Sequence, residues 1–133
     1  MPELEMNRAD VLAEVTAAFH RYEQAFLAND AQTLNALFWN NERTVRYGIA
    51  EIQHGAEAIY RWRAAWQPTG PLQRTLRNLV IKTFGDSFAT ADVEFLRDND
   101  PVGRQSQVWV KMPQGWRVVS AHVSMMPAGV IVR

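Results

Sequence analysis

The order of hydrophobic periods in this sequence predicts an α+β fold, three N-terminal helices packed against an antiparallel sheet. Between Asn7 and Asn29 the residues Val11, Val15, Phe19, Tyr22 and Phe26 follow at intervals of 4, 4, 3 and 4, one face of a helix. From residue 72 onward β-rich runs take over, broken at Gly85-Asp86 and at Pro113-Gln114-Gly115, both hairpin signals. Helices come first and long strands after, so the two kinds of element are segregated rather than alternating.

In the first helix Asn7 is the expected N-cap, and Asp10 sits in the first turn, where a carboxylate suits the helix dipole. Asp30 is the second N-cap candidate, opening a short helix through Leu34, Leu37 and Phe38. A small hairpin turning near Gly48 follows, and a third helix runs from Gly55 to about Trp66 with Ile59, Trp62 and Trp66 on one side. Pro68-Thr69-Gly70-Pro71 is the stop. Strands are then expected over 72–84, 87–97, 103–112 and 116–126, with Asp98–Pro101 as a loop.

Registers assign the faces. Pairing Phe84 with Ser87 puts Leu76, Asn78 and Val80 on one side with Phe95, Val93 and Ala91, and makes Arg77 and Glu94 an exposed ion pair. Pairing Pro113 with Trp116 puts Trp109, Gln107 and Gln105 with Ser120, His122 and Ser124. Val119, Ala121 and Val123 then fall on the opposite side. With Val108 and Val110 they predict an apolar outer face, and with it a homodimer or a higher even oligomer.

The 133 residues suit a single domain spanning 1–133, with 14 basic against 14 acidic residues and no run of like charge. That balance gives no footprint for nucleic acid or an anionic membrane. The absence of cysteine excludes disulfides, thiolate metal sites and cysteine nucleophiles. The N-terminus lacks the pattern of a signal peptide, and no apolar run approaches the roughly 18 residues of a membrane span. A soluble, cytoplasmic protein is the expectation. His20, His54 and His122 are too scattered to argue a metal site from spacing, so no metal or cofactor is expected.

Two residues stand in the wrong company. Arg46 interrupts the strand-like run Thr44-Val45-Arg46-Tyr47-Gly48-Ile49, and Tyr22 carries a hydroxyl on the stripe of the first helix that faces the core. A buried guanidinium calls for an anion and a buried phenol for a hydrogen-bond partner, so together they suggest a pocket that takes an anion beside a phenol. Of the five tryptophans, Trp39, Trp62, Trp66, Trp109 and Trp116, most are expected to pack the core. One or two, Trp62 foremost, are expected to wall the pocket. Asn78, Gln105, Gln107, His122 and Ser124 are the further pocket candidates, each tied to the registers above. No nucleophile elbow, phosphate loop, zinc-protease helix or dinucleotide fingerprint is present.

A resemblance fits this pattern. The segments Tyr22-Glu23-Gln24-Ala25-Phe26, Val45-Arg46-Tyr47-Gly48, His54-Gly55-Ala56-Glu57-Ala58-Ile59, Gly103-Arg104-Gln105-Ser106-Gln107-Val108-Trp109 and Trp116–Ser124 resemble the SnoaL-like superfamily of cone folds. Within it the chain most resembles the AtzH-like family, a group that also takes in the oxalurate-catabolism protein HpxZ. The resemblance covers nearly all of residues 7–126. It implies a cone-shaped curved sheet, a cystatin-like roll, closed by the three helices. It also implies nitrogen catabolism beside an amidase-signature enzyme and its small subunit, with conversion of 1,3-dicarboxyurea to allophanate in cyanuric acid (s-triazine) breakdown. The functional tyrosine and arginine of that family carry over onto Tyr22 and Arg46. The activity implied is that of a cofactor-free decarboxylating amidohydrolase, a C–N hydrolase or carboxy-lyase. The rival readings are a non-catalytic small-molecule binder or assembly partner of the amidase, and an isomerase or dehydratase of the same superfamily. No inward-facing strand aspartate is found, which counts against isomerase chemistry.

Overall fold

A computed structural model describes residues 4–66, 68 and 72–130. Its elements are α1 (Ala9–Leu27), α2 (Ala31–Leu37), β1 (Val45–Tyr47), β2 (Ile52–His54), α3 (Ala56–Ala65), β3 (Thr75–Phe84), β4 (Phe88–Leu96), β5 (Gly103–Met112) and β6 (Gly115–Met125). The six strands form one curved, open sheet in the order β2-β1-β6-β5-β4-β3. The α+β class holds. The sheet is mixed rather than purely antiparallel, because β1 runs parallel to β6. The chain reaches that position by following β6 as it leaves α2, with Phe38 bridging Val118 and the Trp39 N–H donating to the Val118 carbonyl at 2.9 Å.

α1 buries Val11, Val15, Phe19, Tyr22 and Ala25 along one stripe against the sheet. Asn7 is not its cap. Asn7 takes a left-handed φ of 53° and instead pairs with Thr83 of β3, its Oδ1 accepting from the Thr83 N–H at 2.9 Å. Asn29, with φ 54°, ends the helix in a Schellman turn, the Asn29 and Asp30 N–H groups returning to the carbonyls of Phe26 and Ala25. Asp30 then caps α2 as expected, accepting from the Thr33 N–H at 3.1 Å. α3 stops at Ala65, and the Pro68–Pro71 segment lies, Pro68 apart, outside the described residues.

Cross-strand partners divide the sheet cleanly. Gln53, Arg46, Ala121, Gln107, Ala91 and Ile81 form one row, each the partner of the next, on the face toward the helices. The neighbouring row, Ile52, Tyr47, His122, Ser106, Asp92 and Val80, faces away. The core lies between the inner face and the helices, around Phe19, Phe38, Ile59, Phe95, Trp109 and Val118.

Two β-bulges set these faces, and they correct the registers expected from the turns. The β3–β4 loop has three residues, Phe84 pairing with Phe88, and the extra residue is absorbed between Arg77 and Val80. Asn78 is the left-handed residue of that bulge, with φ 54°. Asn78 is therefore exposed, and its Nδ2 donates to Glu94 at 3.1 Å. The Leu76–Phe95 and Arg77–Glu94 partners are as expected, while Val80 turns outward. In the last hairpin Met112 pairs with Gly115, and a bulge lies between Val108 and Trp109 with Val119 of β6 as the extra residue, so Gln107 lies opposite Ala121 and Gln105 opposite Val123. His122 and Ser124 consequently face outward, His122 edge-on to Tyr47 and Ser124 accepting from Arg104 Nε at 3.2 Å. Ala121 and Val123 move inward. The apolar strip of the outer face is left to Val80, Phe88, Val108 and Val110, with Val119 at the bulge. Among the described residues no helix is long and apolar enough to cross a membrane.

Candidate active site

A cavity of about 230 Å³ opens between α1, α3 and the inner face of the sheet. Tyr22 reaches it from the core stripe of α1, where its ring packs edge-on to Phe38 and Trp109, at 6.0 and 6.2 Å between centroids. Arg46 enters from β1. Its guanidinium lies 4.1 Å from the centroid of the Trp62 ring, a cation–π contact that holds the plane of the fork. Arg46 Nη1 donates to Glu51 at 3.2 Å and to Gln53 at 3.1 Å. Both bonds use the same nitrogen, and the remaining N–H groups of the fork have no protein partner among the described residues. Glu51 is placed by the β1–β2 turn, where it also accepts from the Ala50 N–H at 2.7 Å. Gly48 makes this possible, because a Cβ there would run into both the Glu51 carboxylate and Arg46 Nη1.

Three more guanidiniums line the same cavity. Arg74 is held by Glu23 of α1 through two bonds, Nε at 3.0 Å and Nη2 at 2.5 Å, and its Nη2 also donates to Gln105 at 3.3 Å. The face of Arg74 lies 4.0 Å from the Phe26 centroid. Arg97 pairs with Asp100 at 3.4 Å. Arg63 is different. It is 5% exposed, its Nε donates to the Asn35 amide oxygen at 2.8 Å, and among the described residues it has no carboxylate partner. Burial pushes the Arg63 guanidinium below its ordinary range; the adjacent Tyr22 phenol opposes that shift and the charge of Arg46 adds to it. Tyr22, Arg46 and Arg63 are thus mutual neighbours.

Of the residues picked from the sequence, Tyr22, Arg46, Trp62 and Gln105 come together on this cavity. Gln107 is buried behind it, its Oε1 accepting from Trp109 Nε1 at 3.0 Å. Asn78, His122 and Ser124 lie on the far face of the sheet, inverted by the two bulges. Trp62 and Trp66 stack on one another at 5.5 Å and wall the mouth, while Trp109 and Trp116 are core residues. Arg63, Arg74 and Glu23 escaped the sequence reading. A signal for Arg63 was present: it shares the buried stripe of α3 with Ala56 and Ile59. None existed for the Glu23–Arg74 pair, whose members are 51 residues apart. Among the described residues no group of three His, Asp or Glu side chains is placed to hold a metal ion, and Asp92 of β4 faces outward to Ser106, so no strand aspartate enters the cavity.

The chemistry on offer is recognition of an anion by guanidinium beside a phenolic proton. A protein of the DUF3225 family from Pectobacterium atrosepticum SCRI1043 superposes with a TM-score of 0.88 at 54% identity, over 92% of this chain and 95% of that one. A cystatin-like fold protein from Burkholderia xenovorans LB400 gives 0.87 at 50% identity, over 93% and 99%. The NTF2-like superfamily protein of Salmonella enterica serovar Typhimurium LT2 gives 0.72 at 26% identity, over 92% and 96%. A comparison with curated proteins finds no match. The family model described as AtzH-like matches residues 4–129, which take in every element of the sheet and all three helices, and with them Tyr22, Arg46 and the whole cavity wall: the chain belongs to the AtzH-like family.

Proposed function

We propose that this protein is a cofactor-free decarboxylating amidohydrolase that converts 1,3-dicarboxyurea to allophanate in cyanuric acid catabolism. The observation that carries the reading is the meeting of Tyr22 and Arg46, from separate elements, on one small cavity lined by four guanidiniums. A substrate with a carboxylate at each end suits such a wall. The open edge of Arg46 takes one carboxylate as a planar fork, with Trp62 fixing the plane.

The reaction needs an acid more than a nucleophile. An N-carboxylate loses carbon dioxide when its C–N bond breaks, the electron pair returns to nitrogen and that nitrogen takes a proton. Tyr22 supplies the proton from within the cavity and recovers one from solvent after release of the product. A water attacking the terminal carboxylate carbon gives the same allophanate with bicarbonate in place of carbon dioxide. The identity of the first carbon product, followed by a pH-indicator assay with and without carbonic anhydrase, separates the two routes. The reading carries with it a functional association with an amidase-signature enzyme that consumes allophanate.

The test is turnover of dicarboxyurea, generated in situ, by the purified protein alone. Tyr22→Phe keeps the ring and is expected to lower kcat about 10²–10⁴-fold, the range of a lost general acid, with a nearly unchanged melting temperature. Arg46→Lys keeps the charge and loses the fork, and is expected to raise KM. Full turnover in Tyr22→Phe removes the phenol from the mechanism, and full turnover in Arg46→Ala as well leaves a binding module as the better description.

A further inference from the structure

The charges around the cavity do not cancel, and the imbalance has an address. Arg46 faces Glu51, Arg74 faces Glu23 and Arg97 faces Asp100, whereas among the described residues Arg63 has neutral partners and no counter-ion, the amide of Asn35 and the phenol of Tyr22. Arg63 Nη2 is enclosed and has no hydrogen-bond partner among the described residues. Arg97 Nε is enclosed and unbonded too, but it lies 3.4 Å from the Asp100 carboxylate. Gln105 has no such charge beside its free donor: its Oε1 is occupied by Arg74, while its enclosed Nε2 has no partner among the described residues. Arg63 and Gln105 line the same cavity, and Gln105 is 4% exposed. A buried cation without a counter-ion and a buried amide N–H without an acceptor are costly to keep, and folds retain them where something completes them. Both are donors, so what completes them is an acceptor, and beside a guanidinium an anionic one is favoured. The guanidinium carbons of Arg46 and Arg63 lie 4.1 and 5.4 Å from the centroid of the same Trp62 ring, so one small molecule reaches both.

We propose that Arg63, together with the Gln105 amide, is a second anion seat, taking a different group of the ligand from the one held by Arg46. The cavity therefore selects small dianions over the monoanions that lack one of the two carboxylates. This inference rests on reading the cavity as the site of a dicarboxylated urea, and it assigns the second carboxylate of that substrate to Arg63.

The probes are 3-oxoglutarate, which replaces each N–H of the dicarboxylated urea by a methylene, and acetoacetate, which lacks one carboxylate. Calorimetric titration of the wild-type protein is expected to show 3-oxoglutarate binding about 10- to 100-fold more tightly, the fold-change of a charge-assisted hydrogen bond. Arg63→Gln is expected to bring that ratio close to one while leaving acetoacetate affinity within about threefold, and Arg63→Lys to restore part of it. Equal wild-type affinity for the two probes overturns the proposal, and this arm does not depend on any variant folding. A ratio unchanged in Arg63→Gln also overturns it. Slower turnover with an unchanged ratio would make Arg63 a positioning residue for Tyr22 and nothing more. A dianion preference that depends on Arg63 in a protein that does not turn over dicarboxyurea leaves the seat standing and sinks the reaction.

Discussion

At the scale of single residues, Glu23 shows how much the cavity depends on a group outside its lining. Its carboxylate is the only counter-ion of Arg74 among the described residues, and the side chains are 9% and 4% exposed. Removing one member of so enclosed a pair leaves the other charge buried and alone, at a cost of about 3–5 kcal/mol. Glu23→Ala is therefore expected to lower stability by that order in urea denaturation, while the double variant Glu23→Ala/Arg74→Met recovers part of the loss. A single variant as stable as wild type would mean that Arg74 swings out to solvent. The same scale shows what a sequence reveals. Tyr22 and Arg46 were legible because each breaks a local rule, a hydroxyl on a core stripe and a cation in a β-branched run. Arg63 breaks the same kind of rule, a cation on the buried stripe of Ala56 and Ile59, but the apolar stripe of Ile59, Trp62 and Trp66 beside it masks the signal.

At the scale of elements, the bulges decided which candidates reached the site. The order of helices and strands was readable from hydrophobic period and turn residues, since those signals are local. Register is not local. One extra residue in a strand inverts every side chain beyond it, and that is how His122 and Ser124 came to lie outside while Ala121 and Val123 lie inside. In β3 a loop one residue longer than expected is offset by the bulge at Asn78, which restores the Arg77–Glu94 and Leu76–Phe95 partners. That compensation needs a residue that tolerates φ 54°, which asparagine and glycine do and β-branched residues do not. Asn78→Gly is expected to be close to neutral in urea denaturation and Asn78→Val to cost about 1–2 kcal/mol. Equal effects of the two would remove the left-handed conformation as the reason for asparagine.

At the scale of the whole molecule, the first helix is tied to the far hairpin by a single carboxylate. Glu14 of α1 accepts from Lys111 of β5 at 2.8 Å and from Trp116 Nε1 of β6 at 2.9 Å. Those two donors, Lys111 first, hold its carboxyl below the ordinary value of 4.5. Glu94 is held below the same value by Asn78 and Arg77, while Asp10, through Arg8, and Asp30, through Thr33, lie below 3.8. The sign follows directly. A carboxyl with a depressed value in the folded state binds fewer protons there than in the unfolded chain, so stability rises with pH across that window. The contribution is complete above about 4.5 and disappears as the pH falls through the ordinary values and then the depressed ones. Thermal melts taken downward from pH 6 should therefore steepen below about 4.5. Glu14→Gln keeps an acceptor for Trp116 but no charge for Lys111 and no proton to take up. Its melting temperature should lie below that of the wild type at pH 6, and the gap should close as the pH falls toward 3, where the wild-type carboxyl is itself being neutralised. A gap that stays constant with pH would assign the loss to packing at position 14 and not to the charge that joins helix to sheet.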